Sequence, residues 1–357
     1  MRAAVTSDAA GHGRHTQRGL RLESGAVLAE ATTAYRTLGR LNAAGDNAVL
    51  VLHGYTTGPA MLDAGANVAE GSWNDLVGPG KAIDTERWFV VCPNMIGSSY
   101  GSTGPGSIDP ATGRRYGIDF PHITVRDIVA AQKGLLDALG VRRLAAVTGP
   151  SLGGYQALQW AVSHPDMVDR VVAAVSAPFN PAGVGMSPAL LAQLSSQAAW
   201  RDGHPEPGAM VDWLTRMRVD TLTRYGVDAD LAPRIPDPTA RAAEVLRLAR
   251  EWAVGFEPAS LVTLGQAAEA FDVRGQLGAI RAPLLVVQSR TDQVFSPQLT
   301  REFAPLLSTA GVRWSYVELD SDKGHFASGA DAALWSDVLR RFMATEPADW
   351  VSWGMDR

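Results

Sequence analysis

Six residues, Gly149-Pro150-Ser151-Leu152-Gly153-Gly154, constrain this chain more than any other stretch. They set the pattern G-x-S-x-G between an apolar run, Leu144-Ala-Ala-Val-Thr148, and a helical pattern from Leu152 to His164 that Pro165 stops. A strand that turns sharply into a helix through a serine strains the serine backbone and leaves little room beside it. Gly149 and Gly153 remove the side chains that would clash with such a turn. The hydroxyl then projects at a helix N-terminus, where the backbone dipole favours developing negative charge. The same letters also occur as a plain glycine-rich turn with a capping serine. The strand before and the helix after distinguish this one, and they make Ser151 the candidate nucleophile.

The rest of the chain supports that context. Asn47–His53, Phe89–Cys92, Leu144–Thr148 and Arg170–Val175 read as short buried strands. Thr124–Leu139 carries apolar residues at helical spacing and ends at Gly140, a suitable C-cap. Strands alternating with helices imply βαβ units and a mostly parallel sheet flanked by helices. The β signal then fades from about Pro178 to Gly275, where Met210–Tyr225 and Thr239–Val254 look helical. It resumes at Leu284–Gln288 and Trp314–Leu319, and a last helix is expected over Asp331–Met343. The expected organisation is a core domain of residues 1–177 and 276–357, interrupted by a helical lid of residues 178–275.

A serine hydroxyl is a weak nucleophile near neutral pH and needs a base. Of the seven histidines, His325 follows the last expected strand in a loop, Lys323-Gly324-His325-Phe326. His12 and His15 fall in a polar N-terminal arm, His122 and His204 in proline-flanked loops, and His164 at the end of the helix after Ser151. The third member of a triad is a carboxylate between serine and histidine in chain order. Asp292 fits, after the strand Leu284–Gln288; Asp320 and Asp322 are nearer His325 in sequence but sit at the end of the preceding strand. An acyl-transfer oxyanion needs preorganised backbone donors. The N–H of Leu152 is one candidate, and the N–H of Tyr55, in His53-Gly54-Tyr55-Thr56-Thr57-Gly58, is the other. His53 reads as a buried support for this loop.

The net charge is −5, with the charges scattered, so a basic nucleic-acid-binding surface is not expected. The single cysteine, Cys92, lies in an apolar run and reads as a small buried hydrophobe. No His/Cys cluster has metal-ligand spacing, so no metal is expected. The first twenty residues hold His12, Arg14, His15 and Arg18 and do not read as a signal peptide, and no apolar run is long enough to span a membrane. A cytoplasmic location is the expectation.

Further motifs carry a resemblance. They are Ala34-Tyr35-Arg-Thr-Leu-Gly39-Arg-Leu41-Asn42, Leu76-Val-Gly78-Pro79-Gly80-Lys81-Ala-Ile-Asp84-Thr85, and Gly97-Ser-Ser-Tyr100-Gly101-Ser102-Thr103-Gly104-Pro105. Tyr116-Gly117-Ile-Asp119-Phe120-Pro121, Thr124-Val-Arg126-Asp127 and Gln156-Ala-Leu158-Gln-Trp160-Ala161 follow. With these the chain resembles the homoserine O-acetyltransferase-like branch of the α/β hydrolases. The resemblance implies the α/β-hydrolase fold, an acyl-enzyme on Ser151, a triad with Asp292 and His325, and a helical lid that helps form a homodimer. It also marks Thr215-Arg216-Met217 as similar to the lid segment that supplies a substrate-binding arginine, which assigns that role to Arg216. Two departures stand out. Pro150, Leu152 and Tyr155 replace the Gly, Met and Met usual at the elbow of the amino-acid acetyltransferases. Phe326 occupies the position after the histidine, where those transferases carry an acidic residue that meets the amino group of homoserine.

An apolar ring cannot pair with an ammonium group, and the stretch Gly324–Gly329 is similar to members that hydrolyse short-chain esters. With Phe326 counted as substrate-binding, the sequence favours a carboxylesterase acting on acetyl or similar esters, without a cofactor. The alternative is an O-acetyltransferase that takes acetyl-CoA as co-substrate and homoserine or another small alcohol as acceptor.

Overall fold

The computed structural model describes residues 6–7 and 11–353. Among them, nine strands form one sheet: β1 (Thr6–Ser7), β2 (His12–Arg21), β3 (Val27–Leu38), β4 (Ala48–Val51), β7 (Phe89–Pro93), β8 (Leu144–Pro150), β9 (Val171–Ala174), β10 (Leu284–Ser289) and β11 (Trp314–Leu319). Two further strands, β5 (Val77–Gly78) and β6 (Ile83–Asp84), form a separate small ladder. The order across the large sheet is β1-β2-β3-β7-β4-β8-β9-β10-β11. From β7 to β11 every pairing is parallel; β1, β2 and β3 are antiparallel additions at one edge.

The parallel strands from β7 to β10 are buried on both faces, which is why they read as continuous apolar runs rather than alternating ones. The pleat still sorts neighbours to opposite sides. Leu50 packs into a core with Val91, Val147 and Trp160, whereas Val49 and Val51 pack into another with Val90, Trp73 and Trp335. Helices α1 (Val125–Leu139) and α2 (Leu152–Ser163) lie in the first of these layers. Helix α1 starts with a capping box of Thr124 and Asp127 and stops at Gly140, whose φ of 83° a side chain would resist.

Between β9 and β10 the chain folds into α3 (Met186–Ser195), α4 (Val211–Tyr225), α5 (Val227–Leu231), α6 (Pro238–Gly255) and α7 (Pro258–Glu269). Leu194, Trp200, Met210, Leu214 and Phe256 give these helices a core of their own. A second cluster, in which Leu222, Val227, Leu231 and Leu248 surround Phe326, joins them to the loop after β11. Helices α8 (Pro297–Thr309), α9 (Ala327–Ala330) and α10 (Ser336–Ala344) complete the fold.

The polar N-terminal arm expected to hold His12 and His15 is instead strand β2, paired over its length with β3. His15 is buried. The strand is rich in Arg, Gln and His because part of it faces solvent, and that composition masked its alternation. The buried environment of Cys92 on β7 agrees with its apolar run, and burial pushes its thiol pKa up. Among the described residues, no helix is long and apolar enough to cross a membrane.

Candidate active site

Ser151 sits where β8 passes into α2, with φ 56° and ψ −123°. A non-glycine residue tolerates such a backbone only when its surroundings hold it there. They do so through main-chain bonds: Ser151 N donates to the Ala174 carbonyl over 2.9 Å, and Ser176 Oγ donates to the Ser151 carbonyl over 2.9 Å. The flanking glycines have no room for a side chain. A Cβ on Gly149 would stand 2.3 Å from the Leu52 carbonyl oxygen, and one on Gly153 would stand 2.1 Å from it. A Cβ on Gly154 would meet the Ser176 side chain at 2.4 Å.

His325 lies on a short turn after β11, and Asp292 lies after β10. The topology brings these two strand ends together, and His325 Nδ1 is 2.8 Å from Asp292 Oδ2. The other Asp292 oxygen accepts from the N–H groups of Val294, 2.7 Å, and Phe295, 3.1 Å. This carboxylate is buried, fully engaged and fixed in direction. The rings of Tyr225 and Phe295 flank the imidazole at 4.6 and 5.7 Å. Asp320 pairs with Arg290 and is exposed, and Asp322 is exposed as well.

Ser151 and His325 line one cavity of 360 Å³, together with Tyr55, Arg218, Asp230 and Phe326. Neither the Tyr55 N–H nor the Leu152 N–H donates to an acceptor among the described residues. The Tyr55 side chain donates its hydroxyl to the Leu261 carbonyl on α7. His53 is fully buried; its Nδ1 lies 2.9 Å from the Gly54 carbonyl oxygen, and its Nε2 accepts from Met95 N–H over 3.3 Å. Burial pushes its pKa down to about 4, so the ring is neutral at pH 7 with its proton on Nδ1.

The structure separates the two arginines of α4. Arg216, expected to bind substrate, is exposed and lies outside the cavity. Two residues along a helix turn the side chain through roughly 200°, and this brings Arg218 into the cavity wall instead. Arg218 is 1% exposed. Its Nη1 donates to Thr56 Oγ1 over 2.7 Å, its Nη2 donates to the Ala69 carbonyl, and its guanidinium lies 4.8 Å over the Trp252 ring. No carboxylate pairs with it among the described residues, and its Nε has no acceptor. Burial lowers its pKa, the direction expected of a desolvated cation. A signal for Arg218 was present in the sequence. It stands four residues from both Leu214 and Leu222, so a charge occupies the apolar stripe of α4.

Phe326 borders the cavity but is mostly buried against Tyr225, with ring centroids 5.6 Å apart. Two carboxylates line the cavity, Asp75 and Asp230. Asp75 is exposed at the rim. Asp230, on α5, already pairs with Arg234 at 3.0 Å and lies 3.6 Å from Lys323.

Residues 47–330 match the family model described as the alpha/beta hydrolase fold. The homoserine O-acetyltransferase of Symbiobacterium thermophilum is 37% identical over 352 residues, covering 90% of this chain and 91% of that protein. The chain belongs to the homoserine O-acetyltransferase-like family of the α/β hydrolases. It is an α/β-hydrolase-fold enzyme. Family members with other names are also similar: the homoserine O-succinyltransferase of Methylibium petroleiphilum is 36% identical over 352 residues, covering 91% of each chain. Among solved structures, esterase E22 superposes with a TM-score of 0.81 over 93% of this chain and 99% of its own, at 23% identity. At that identity the likeness is one of fold.

Proposed function

We propose that this enzyme transfers a short acyl group through Ser151 to the hydroxyl of a small, carboxylate-bearing alcohol. Homoserine is the acceptor named by its relatives, and acetyl-CoA is the proposed donor. The observation that carries this reading is Arg218, a buried guanidinium on the wall of the cavity that holds Ser151 and His325, without a carboxylate partner among the described residues. A buried cation is costly unless it is paired. A substrate carboxylate on Arg218 would supply the pair and hold the acceptor by one end.

In this reading His325 Nε2 takes the Ser151 proton as Oγ attacks the donor's acyl carbon. The Tyr55 and Leu152 N–H groups receive the oxyanion, while Asp292 steadies the imidazolium through Nδ1. The proton then goes to the departing thiolate, which leaves an acyl-serine. The acceptor hydroxyl gives its proton to His325 and attacks that ester, and the collapse returns the proton to Ser151. The helices between β9 and β10 act as the lid over this cavity. The insertion exposes the apolar Val184, Met186, Leu246 and Val254, and a homodimer formed through the lid is part of this reading.

Hydrolysis is the second reading. The sequence alone placed it first; relatives at 36–37% identity that are named as acyltransferases weigh toward transfer. One observation still favours water as acceptor: Phe326 stands beside His325 where an acidic residue would meet an ammonium group. Incubation with acetyl-CoA, with and without homoserine, separates the two. Homoserine-dependent CoA release and O-acetylhomoserine are expected. Rapid acetate release from acetyl esters without any homoserine-dependent CoA release would replace transfer by hydrolysis.

A further inference from the structure

Beneath the Ser151 turn runs a chain of buried side-chain amides. Trp160 Nε1 donates to Gln132 Oε1 over 2.8 Å. Gln132 Nε2 donates to Gln156 Oε1 over 2.7 Å. Gln156 Nε2 donates to two carbonyls, that of His53 at 3.2 Å and that of Leu152 at 3.1 Å. None of the three side chains is more than 1% exposed.

The direction of this chain follows from chemistry. An indole N–H only donates, so Gln132 must present its oxygen to Trp160. Its amino group is then left for Gln156, which must present its own oxygen in turn. That leaves the Gln156 amino group for the two carbonyls. A flipped Gln156 would press its oxygen against two carbonyl oxygens in a buried site and withdraw the donor it gives to each. The indole of Trp160, about two and a half helical turns from the serine, therefore fixes which way Gln156 points.

Those carbonyls belong to the two segments that carry the oxyanion donors. One is His53, at the start of His53-Gly54-Tyr55; the other is Leu152 itself. The His53 ring secures the next peptide, since Nδ1–H donates to the Gly54 carbonyl over 2.9 Å. In a trans peptide the carbonyl and the following N–H point to opposite sides. Drawing the Gly54 carbonyl toward the His53 ring turns the Tyr55 N–H away from that ring.

We propose that the Trp160–Gln132–Gln156 chain, with His53, sets the spacing of the Tyr55 and Leu152 N–H groups, and that Gln156 is the positioning residue on which it converges. The inference rests on the reading of Ser151 as nucleophile and holds whether the acyl group goes to an alcohol or to water. No atom of Gln156 touches substrate; it acts through the two main-chain segments that it bonds.

The test is the acylation burst with p-nitrophenyl acetate, with active sites counted by exhaustive phosphonate labelling. Gln156→Met keeps much of the volume and removes both donors. Its acylation rate constant is expected to fall about thirtyfold, a share of what losing an oxyanion donor costs, while the apparent ester affinity stays within about threefold. Trp160→Phe frees Gln132 to flip, and a loss of about fivefold is expected although the ring is remote from the cavity. The double variant should be no slower than Gln156→Met alone, because one chain acts through one residue. A Gln156→Met rate within about twofold of the parent overturns the proposal, as do losses that multiply in the double variant. If Gln156→Met does not fold, Trp160→Phe decides: an unchanged rate overturns the proposal. A parent protein with no burst and no labelling would instead remove Ser151 as nucleophile.

Discussion

Arg218 Nη1 donates to Thr56 Oγ1 over 2.7 Å, so a helix of the insertion is bonded to the residue that follows Tyr55. The contact links the proposed carboxylate anchor to the proposed oxyanion loop. Arg218→Lys keeps a charge but cannot keep the two-sided fork to Thr56 and Ala69. Arg218→Leu is expected to raise KM for homoserine by about a hundredfold, the usual scale for truncating a buried charged partner. The lysine variant should fall between, and Arg216→Leu should match the parent. Steady-state kinetics of the three variants would tell; a normal KM in Arg218→Leu removes the anchor.

Ser151→Ala should lose all covalent labelling by a phosphonate and all turnover, with an unchanged thermal transition. Asp292→Asn keeps the bulk but alters the hydrogen bond to His325 Nδ1, and a loss of about 10⁴ in kcat is expected. Retained turnover in Ser151→Ala is the result that would sink the nucleophile.

The buried His53 gives stability a pH dependence with a defined sign. Its folded pKa is about 4, against an ordinary 6.5. Between those values the unfolded chain binds a proton that the folded chain does not, so stability rises with pH. The contribution is complete above about pH 6.5 and is lost as pH falls toward about 4, on the order of 3 kcal/mol in all. Urea melts at pH 7 and pH 4.5 should therefore show a smaller drop for His53→Asn than for the parent. Equal drops would place the pH dependence elsewhere.

Phe326 packs among Leu222, Val227 and Leu231 of the insertion. Phe326→Asp would put a carboxylate in that cluster, and a destabilisation of about 3 kcal/mol is expected. Phe326→Leu should cost less than half of that. Chemical denaturation measures both, and an unchanged midpoint in the aspartate variant would mean that the cluster is open to water.

The parallel half of the sheet was legible because buried strands read as apolar runs and each was followed by a turn or a capped helix. The Ser151 turn was legible because Gly149 and Gly153 are demanded by the backbone itself. Asp292 and His325 were reached through chain order, which from β8 to β11 is also the order of the strands in the sheet. Arg216 lies outside the cavity and Arg218 in its wall for a reason of helical phase: two residues along a helix bring a side chain to nearly the opposite face. β2 was read as an arm since its polar residues hide the alternation that only its partner β3 makes plain. The amide chain from Trp160 to Gln156 was not legible, because Gln132 lies on a different helix and only the packing of α1 on α2 brings it near.

The glycines around Ser151 differ in what evolution can do with them. At Gly149 and Gly153 the obstacle is the Leu52 carbonyl, and every amino acid brings a carbonyl. Room for a side chain at either position requires the backbone itself to shift, which changing a neighbouring side chain does not supply. At Gly154 the obstacle is the side chain of Ser176. Alanine there has an escape route through Ser176→Gly, at the cost of the bond that Ser176 makes to the Ser151 carbonyl. Two adjacent glycines, Gly153 and Gly154, are thus constrained differently: one by a main chain, the other by a replaceable side chain.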